Sequence, residues 1–435
     1  MRKYITAVLL QLSNIGFSQD STNKIPFEGM NLTWMNGQNR QQDFPLVITD
    51  KKTCAAIATG VAYLDGYFNY NLNKPIDNTH TISSTIGRHN EFTLNLASIG
   101  LEANYKNALG RIWLQFGQMG SIVQELDGTV PRGRNTSISN LKYIREAAAG
   151  YHFNKWYGIN LEIGIFMSYI GLESYVTQEN WSYQRSMVCD FTPFYFSGTR
   201  LQVFPSRTFK TELWLLNGWQ SYNSWNKSIG VGNSNYWRPN ENLQLVANFY
   251  LGKDNRADIL RFHHDNSVVA RYFNRPVSNG ISQAAFSINN HYGFQSGDNV
   301  KAGSQYMTGC AVANRVWFNK NKLAFTLRGD FVTNPGLYLA FNPSPVVPND
   351  FTDAIDADPQ KKLTIFQGTA TFDIMPNDHI TFRFEYGYRK SNVPYFAGKG
   401  GTTSPDGWID TPAAGWRPDL KKKENRLTAA INFRL

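Results

Sequence analysis

ITFRFEYGYR, residues 380–389, alternates without interruption between two kinds of side chain. One face takes the apolar and aromatic residues Ile380, Phe382, Phe384, Tyr386 and Tyr388. The other takes the small, polar and charged residues Thr381, Arg383, Glu385, Gly387 and Arg389. Because successive side chains of a β-strand point to opposite faces, the stretch predicts a strand with one apolar and one polar face. The same alternation recurs at 111–116 and 323–330. A half-buried strand of a soluble protein would also alternate, so the number and spacing of such stretches decide the fold class.

Sixteen candidate strands of this kind follow one another along the chain. They cover 57–72, 90–105, 109–121, 141–153, 157–172, 189–204, 208–220, 239–252, 256–264, 267–274, 281–296, 303–318, 321–334, 361–375, 379–391 and 423–435. The region 256–274 is the weakest of them, and it counts as two strands only if the chain turns at Asp265-Asn266, a pair typical of tight turns. Bacterial outer-membrane barrels have an even number of strands, which favours sixteen, with fourteen as the alternative.

Short and long connections alternate along nearly the whole chain. Short turns are predicted at 106–107, 154–155, 205–206, 253–255, 319–321 and 376–378, and longer polar loops at 73–89, 122–140, 173–188, 221–238, 335–360 and 392–422. An outer-membrane barrel has this asymmetry because tight turns lie at its periplasmic rim and long loops at its outer rim. The sequence therefore predicts an all-β fold, a transmembrane antiparallel up-and-down barrel of the outer membrane. The alternative is a soluble secreted all-β protein.

Composition agrees with a barrel and excludes two other classes. Of the 435 residues, 17% are charged and 14% are aromatic, whereas an average globular chain has ~25% charged residues. Beyond the N-terminus no stretch approaches the ~20 apolar residues that a membrane helix needs, which excludes a helical membrane bundle. The full quota of apolar residues argues against disorder. The final segment, 423–435, also alternates, so we expect it to pair with the first strand and close the barrel.

The N-terminus has the pattern of a secretory signal. Arg2 and Lys3 precede a mostly apolar stretch, and Gly16-Phe17-Ser18 gives a small-residue cleavage site before Gln19. We therefore expect residues 1–18 to be a signal peptide, 19–56 a periplasmic or lumen-filling segment, and 57–435 the transmembrane barrel. A buried N-terminal helix or strand is the alternative for the first residues.

Several segments carry a family resemblance. They are 34–40 (WMNGQNR), 66–70 (GYFNY), 91–96 (EFTLNL), 171–173 (GLE) with 180–186, and 217–219 (NGW). In these segments the chain resembles the OmpL-like β-barrel porins over about residues 34–435. The resemblance implies an outer-membrane barrel of porin function, and it transfers no catalytic or substrate-binding residue.

Motifs for catalysis or metal binding are absent from the sequence. It contains no G-x-S-x-G, no Walker A, no H-E-x-x-H and no G-x-G-x-x-G. His263-His264-Asp265 is a weak metal candidate because adjacent strand residues point to opposite faces, so the two imidazoles cannot easily share one ion. We expect neither enzymatic activity nor a cofactor. The formal net charge of +10 could suit nucleic acid, but export makes anionic lipopolysaccharide or an anion-attracting pore the better partner.

Alternation also predicts which charged residues face the lumen. The inward cations are Arg111, Lys210, Arg261, Arg328, Arg383, Arg389, Arg426 and Arg434, and the inward acids are Glu212, Asp330, Asp373 and Glu385. They are either a wetted wall rigidified by ion pairs or an electrostatic constriction that favours anions. We therefore expect a passive channel for small hydrophilic solutes or ions, inserted among outer-membrane lipid and lipopolysaccharide by the barrel assembly machinery. A homo-oligomer is left open. The alternative is a non-conducting barrel that anchors or scaffolds an envelope assembly.

Overall fold

In the computed structural model the chain folds into one closed antiparallel β-barrel. The structure describes residues 24–36, 43–80, 83, 85–125, 127–128, 138–224, 228–253, 258–339, 342–357, 362–408 and 414–435. The predicted signal peptide, 1–18, lies outside the described residues. Among the helices of the described residues, none has the length and apolar character needed to cross a membrane.

Sixteen strands form the barrel, as the sequence predicts. They are β2 (Ala56–Asn71), β3 (Phe92–Tyr105), β4 (Ala108–Phe116), β5 (Ile144–Phe153), β6 (Ile159–Met167), β7 (Tyr195–Ser206), β8 (Phe209–Leu216), β9 (Gly230–Asn240), β10 (Leu243–Lys253), β11 (Ile259–Asn274), β12 (Ile281–Gly297), β13 (Tyr306–Phe318), β14 (Leu323–Pro335), β15 (Lys362–Ile374), β16 (Ile380–Ser391) and β19 (Lys423–Arg434). Each strand pairs with the next one, and β19 closes the ring on β2 from Arg426–Asn71 to Arg434–Tyr63. Closure leaves no unpaired strand edge in lipid.

The count of sixteen is confirmed, although two of the predicted strands were wrong. The region 256–274 is a single strand, β11, and Asp265-Asn266 is paired within it to His291 and Asn290 of β12. The predicted loop 221–238 contains a strand that the sequence analysis missed, β9. Its residues Gly232 to Asn235 have no large apolar side chain, so the outward apolar signal is interrupted there. The two errors cancel in the total.

The two rims of the barrel differ as predicted. One rim, called the turn rim, holds the connections 106–107, 154–158, 207–208, 241–242, 275–280, 319–322 and 375–379, together with the start of β2 and the end of β19. The other, called the loop rim, holds the described residues of 72–91, 117–143, 168–194, 217–229, 258, 298–305, 336–361 and 392–422. Of the predicted short turn at 253–255, Lys253 is the last residue of β10, and the rest lies outside the described residues. The predicted strand 109–121 is shorter in the structure: β4 ends at Phe116, and a helix begins at Gln118.

Smaller elements lie at both rims. Strand β1 (Val47–Thr49) pairs with β2 at the turn rim, and β17 (Phe396–Ala397) pairs with β18 (Leu420–Lys421) at the loop rim. The helices are Gln118–Glu125, Ile138–Leu141, Met187–Asp190 and Asp350–Asp356, with 3₁₀ turns at Thr33–Asn36 and Thr177–Glu179.

The two faces of the wall separate apolar from polar residues. Outward positions such as Ile163, Leu327 and Ile431 are half or more exposed, whereas the inward neighbour Arg383 is fully buried. An exposed apolar outer face is the mark of a wall that contacts lipid. The interior is filled mainly by residues of the loop-rim connections, and these form the candidate site.

Candidate functional site in the lumen

One loop-rim connection folds down into the barrel. Residues 168–194, called the inserted segment, join β6 to β7, and nearly all of residues 175–194 are buried. The descent is possible because Gly171 adopts a φ of +87°, which favours glycine. Its N–H donates to Asp265 of β11 at 3.2 Å. A Cβ at this position would also press on the Cys189 sulfur at 3.1 Å.

Carboxylates of the wall accept hydrogen bonds from the backbone of the inserted segment. Glu385 accepts from the N–H groups of Tyr183 at 2.6 Å and Gln184 at 3.1 Å. Asp330 accepts from the N–H of Met187 at 2.9 Å. Since a loop inside a barrel has no β-ladder for its backbone, these side chains satisfy groups that would otherwise be unpaired.

Guanidinium groups of the wall donate to carbonyls of the same segment. Arg383 donates to Thr177 at 3.2 Å and to Asn180 at 2.8 Å. Arg315 donates to Trp181 at 3.1 Å, and Arg328 donates to Gln184 at 2.7 Å. The wall of β13–β16 thus holds the segment by both signs of charge, and we call these wall residues the seat: Arg315, Arg328, Asp330, Arg383 and Glu385.

Ion pairs within the wall keep the seat charged and ordered. Asp373 lies between Arg383 at 2.8 Å and Arg315 at 2.6 Å, and all three side chains have no exposed area. Arg426 pairs with Glu385 at 2.9 Å. Further pairs are Arg389 with Glu424 at 2.6 Å and Arg328 with Asp330 at 3.1 Å. Buried charges need such partners, because an unpaired one costs several kcal/mol.

Small wall residues receive the large side chains of the segment. The Tyr169 hydroxyl occupies the place of a Cβ at Gly232, and Val188 packs against Gly309 in the same way. Tyr169 also stacks on Trp214, with ring centroids 5.0 Å apart. Burial raises the pKa of the Cys189 thiol to about 11, so it remains a neutral packing residue.

The opposite side of the lumen keeps more contact with water. On β4–β8, Arg111 pairs with Glu162 at 2.6 Å and Lys210 with Glu212 at 2.9 Å, while Arg200 also pairs with Glu162. In these two pairs the cation is the more exposed partner: 23% for Arg111 against 2% for Glu162, and 17% for Lys210 against 4% for Glu212. A cavity of about 280 Å³ lies beside the first of these pairs and is lined by Arg111, Glu162 and the exposed Glu102.

The remaining predicted residues lie at the two ends of the lumen. Arg434, near the turn rim, approaches Glu179 of the inserted segment at 3.4 Å. Arg261, near the loop rim, donates to the Tyr338 carbonyl at 3.2 Å and lies over the Trp219 ring. All twelve residues predicted to face inward are therefore described, and each contacts another lumen residue; their role in permeation stays a prediction.

Sequence reasoning missed several inward charges. Glu162, Glu424 and Arg315 all lie on strands and point inward. The signal for them was available, since Glu424 has the same parity as Arg426 and Arg315 alternates with apolar outward residues. Asp65 of β2 was also missed; it accepts from Thr177 at 2.8 Å and Tyr183 at 3.0 Å.

The N-terminal residues close on the lumen from the turn rim. Trp34 is only 3% exposed and packs with Trp181, Trp317 and Met375. Its indole N–H donates to the Glu241 carbonyl at 3.0 Å. The 3₁₀ turn Thr33–Asn36 therefore meets the inserted segment inside the barrel.

The histidine candidate for metal binding is divided between the two faces. His263 and Asp265 point inward and His264 outward. His263 instead contacts His291 at 3.0 Å and the Tyr338 hydroxyl at 3.0 Å. In the described part of the chain, no group of three or more His, Cys, Asp or Glu side chains could hold a metal ion.

Comparison with known proteins identifies the family. The family model described as "Putative beta-barrel porin-2, OmpL-like" matches residues 58–434, which is the whole barrel apart from its outermost residues. The chain belongs to this OmpL-like porin family. No curated protein matches this OmpL-like barrel at a significant level.

Solved structures similar to this OmpL-like barrel are outer-membrane proteins. An anion-selective porin from Comamonas acidovorans aligns with a TM-score of 0.54 at 9% identity, over 87% of this chain and 99% of its own. OprB of Pseudomonas putida aligns with 0.53 at 9%, over 87% and 94%. The outer membrane channel DcaP of Acinetobacter baumannii aligns with 0.52 at 15%, over 89% and 100%. At these identities the likeness establishes the fold, an outer-membrane porin barrel.

Proposed function

We propose that this protein is a porin-like channel for the passive diffusion of small hydrophilic solutes or ions, with a preference for anions. The observation that carries the proposal is the uneven lumen. The inserted segment is bound to β13–β16, while the β4–β8 wall keeps water-accessible charges beside a cavity of about 280 Å³. A sixteen-stranded barrel is wide enough for an aqueous path beside such a segment.

The preference for anions rests on which partner of each ion pair faces water. Arg111 and Lys210 expose several times more of their side chains than Glu162 and Glu212 do. At these two pairs a solute meets the cation before the acid, and the low-dielectric wall strengthens the field of the cation against that of the exposed Glu102 in the same cavity. The effect should weaken at high salt, where screening is stronger.

Planar-bilayer recording of the purified protein tests the channel. Stable conductance steps are expected, with a reversal potential in a KCl gradient that indicates anion preference. Arg111→Ser should move the reversal potential toward cation preference. Persistent silence, or a wild-type channel that prefers cations, would contradict the proposal.

A non-conducting barrel that anchors or scaffolds an envelope assembly is the second candidate. It is favoured by the dense burial of residues 175–194 and by the closure of the turn rim by Trp34. Silence of the wild type, together with loss of an envelope complex on deletion, would support it. In neither case do we assign a catalytic role or a cofactor.

We also propose how the chain reaches the membrane. Residues 1–18 act as a signal peptide, the mature protein begins at Gln19, and the barrel assembly machinery inserts it among lipid and lipopolysaccharide. Residues 19–56 then serve as a periplasmic or lumen-filling segment. Intact-mass analysis of the outer-membrane fraction should find Gln19 at the N-terminus; retention of Met1 would refute the cleavage.

A further inference from the structure

The outer wall carries a polar stripe where lipid is expected. It comprises Thr211, Asn233, Asn235, His264, Asn266 and Asn290, and we call it the outer seam. On strands β8–β12 these residues alternate with inward ones such as Glu212, which is buried in the lumen. Their outward direction follows from the same alternation that exposes Leu213 and Leu215 on β8.

The seam is continuous across neighbouring strands. Thr211 is paired with Asn235, which is opposite Ala247. Ala247 is opposite Asn266, and Asn266 is opposite Asn290. Asn290 in turn is opposite Cys310, so one row of polar and small side chains crosses six strands.

Apolar rows bracket the seam on both sides. Toward the loop rim lies the row Leu215, Val231, Leu251, Phe262 and Phe294. Toward the turn rim lies the row Trp237, Leu245, Val268, Ile288 and Val312. The seam therefore lies at the depth of the hydrocarbon and not among the lipid headgroups.

Some polar groups of the seam form hydrogen bonds to other residues of the wall. Thr211 donates to Asn235 at 2.8 Å, and Asn233 donates to the Glu212 carbonyl at 2.7 Å. His264 and Asn266 share a contact of 2.8 Å. The exposed side-chain amide of Asn290 has no hydrogen bond to any described residue. An amide offers two donors and an acceptor, and lipid chains satisfy none of them, at a cost of several kcal/mol per group.

We propose that the outer seam is the surface through which two copies of this chain associate in the membrane. Small and polar residues are what membrane-embedded interfaces use, because they allow close approach and hydrogen bonds across the contact. Ala247 and Cys310 provide the close approach. Amides are both donors and acceptors, so the seam can bind an identical seam.

The size of the surface agrees with this partner. Six strands at ~4.8 Å spacing span roughly 24 Å, and the bracketing rows, six residues apart at ~3.4 Å each, span roughly 20 Å, on the order of 500 Å² per wall. A standard interface buries ~800 Å² per partner and a weaker one less, so the seam suits an interface of the smaller class. The depth of the seam argues against a lipopolysaccharide headgroup as the occupant. On β14–β19, the strands that follow the seam around the barrel, the outward residues Leu327, Phe372, Phe384 and Ile431 are apolar.

Photo-crosslinking in cells tests the proposal with a matched pair of positions. A benzophenone amino acid replaces Tyr292, which is paired with His264 of the seam and is 44% exposed, or Tyr386 on β16, four strands from β12, which is 43% exposed. An adduct of twice the chain mass is expected from position 292 and not from 386. Equal adducts at both positions, adducts to lipid or to a protein of another mass, or no adduct at either would overturn it.

A second variant measures the contribution of the seam to association. Asn290→Leu removes an amide that makes no described contact within the barrel, so folding, checked by heat-modifiability on gels, should be unchanged. Its dimer dissociation constant in detergent should rise roughly 5- to 30-fold, the range for one interhelical-type hydrogen bond in a membrane. An unchanged dissociation constant would contradict the role of Asn290.

Discussion

The seat of the inserted segment can be weakened at one carboxylate. Glu385 uses each of its two oxygens twice: one accepts from Tyr183 N–H and Thr371, the other from Gln184 N–H and Arg426. In Glu385→Gln one oxygen becomes an NH₂ group, which cannot accept. One backbone N–H of the inserted segment must then lose its partner.

The size of the effect follows from what differs between the seated and the displaced segment. The ion pair with Arg426 lies within the wall, so its loss affects both states and cancels to first order. What remains is one hydrogen bond to a charged acceptor, about 1.5–3 kcal/mol. The displaced population should therefore rise roughly 10- to 150-fold, since 1.36 kcal/mol corresponds to a factor of ten.

Hydrogen exchange of the Tyr183 and Gln184 amides measures that population directly, and bilayer recording reports its effect on conductance. Glu212→Gln is the matched control: at most 4% of either side chain is exposed, but Glu212 bonds to Lys210, Gln202 and Trp214 in the wall and not to the segment. Faster exchange and more open events are expected only in Glu385→Gln. Equal effects in both variants, or none in either, would refute the seat.

Three further outcomes are expected. Leu427→Arg, near the middle of β19 and 53% exposed, should lower stability by ~2–4 kcal/mol in urea titrations, whereas Ile281→Arg, 47% exposed at the turn-rim end of β12, should cost ~0–1 kcal/mol. Equal costs would show that the position of the lipid band is assigned wrongly. Burial and the nearby Arg389 guanidinium hold the pKa of His80 well below its ordinary value, so the connection 72–91 should loosen as the pH falls below ~6.5. A spin label at Lys74→Cys should therefore gain mobility at pH 4.5, and it should gain less when His80→Gln is also present. An equal gain with and without His80→Gln would show that His80 is not the cause. Trp34→Ala should weaken the docking of residues 24–36 at the turn rim by ~3–5 kcal/mol. Proteolysis within residues 24–36 should then be faster while the barrel stays intact. Unchanged proteolysis would show that Trp34 does not hold these residues.

The barrel was predictable because lipid and water impose a strict period of two on long strands. The stretch 380–389 gave both faces correctly, and the rim asymmetry followed from loop length. The prediction was wrong where the outer face is itself polar. In β9, Asn233 and Asn235 replace the apolar outward residues, and in β11 Asp265-Asn266 resembles a turn for the same reason. Both errors fall on the outer seam, so a departure from the lipid pattern explains each of them.

The seat could not have been read from the sequence in the same way. The alternation predicts that Arg383 and Glu385 face inward, but it does not predict which groups they contact. Their partners are backbone groups of residues 177–184, some 200 positions away in the chain. The descent of that segment depends on Gly171 and on the space left by Gly232 and Gly309, which are close-approach positions without a periodic pattern.

The arginines on the two sides of the lumen differ in exposure and in pairing, and this difference changes which of them we expect to govern selectivity. Arg383 and Arg389 lie on the best-defined strand, yet their side chains are at most 1% exposed and are neutralised by Asp373 and Glu424. A charge so buried and paired contributes little field to a passing ion. Replacing Arg383 would instead unseat the inserted segment, because two of its hydrogen bonds hold that backbone. If the proposed channel function holds, we expect charge selection to depend on the β4–β8 wall, where Arg111 is more exposed than its partner Glu162. We expect the segment bound to β13–β16 to determine the width of the passage.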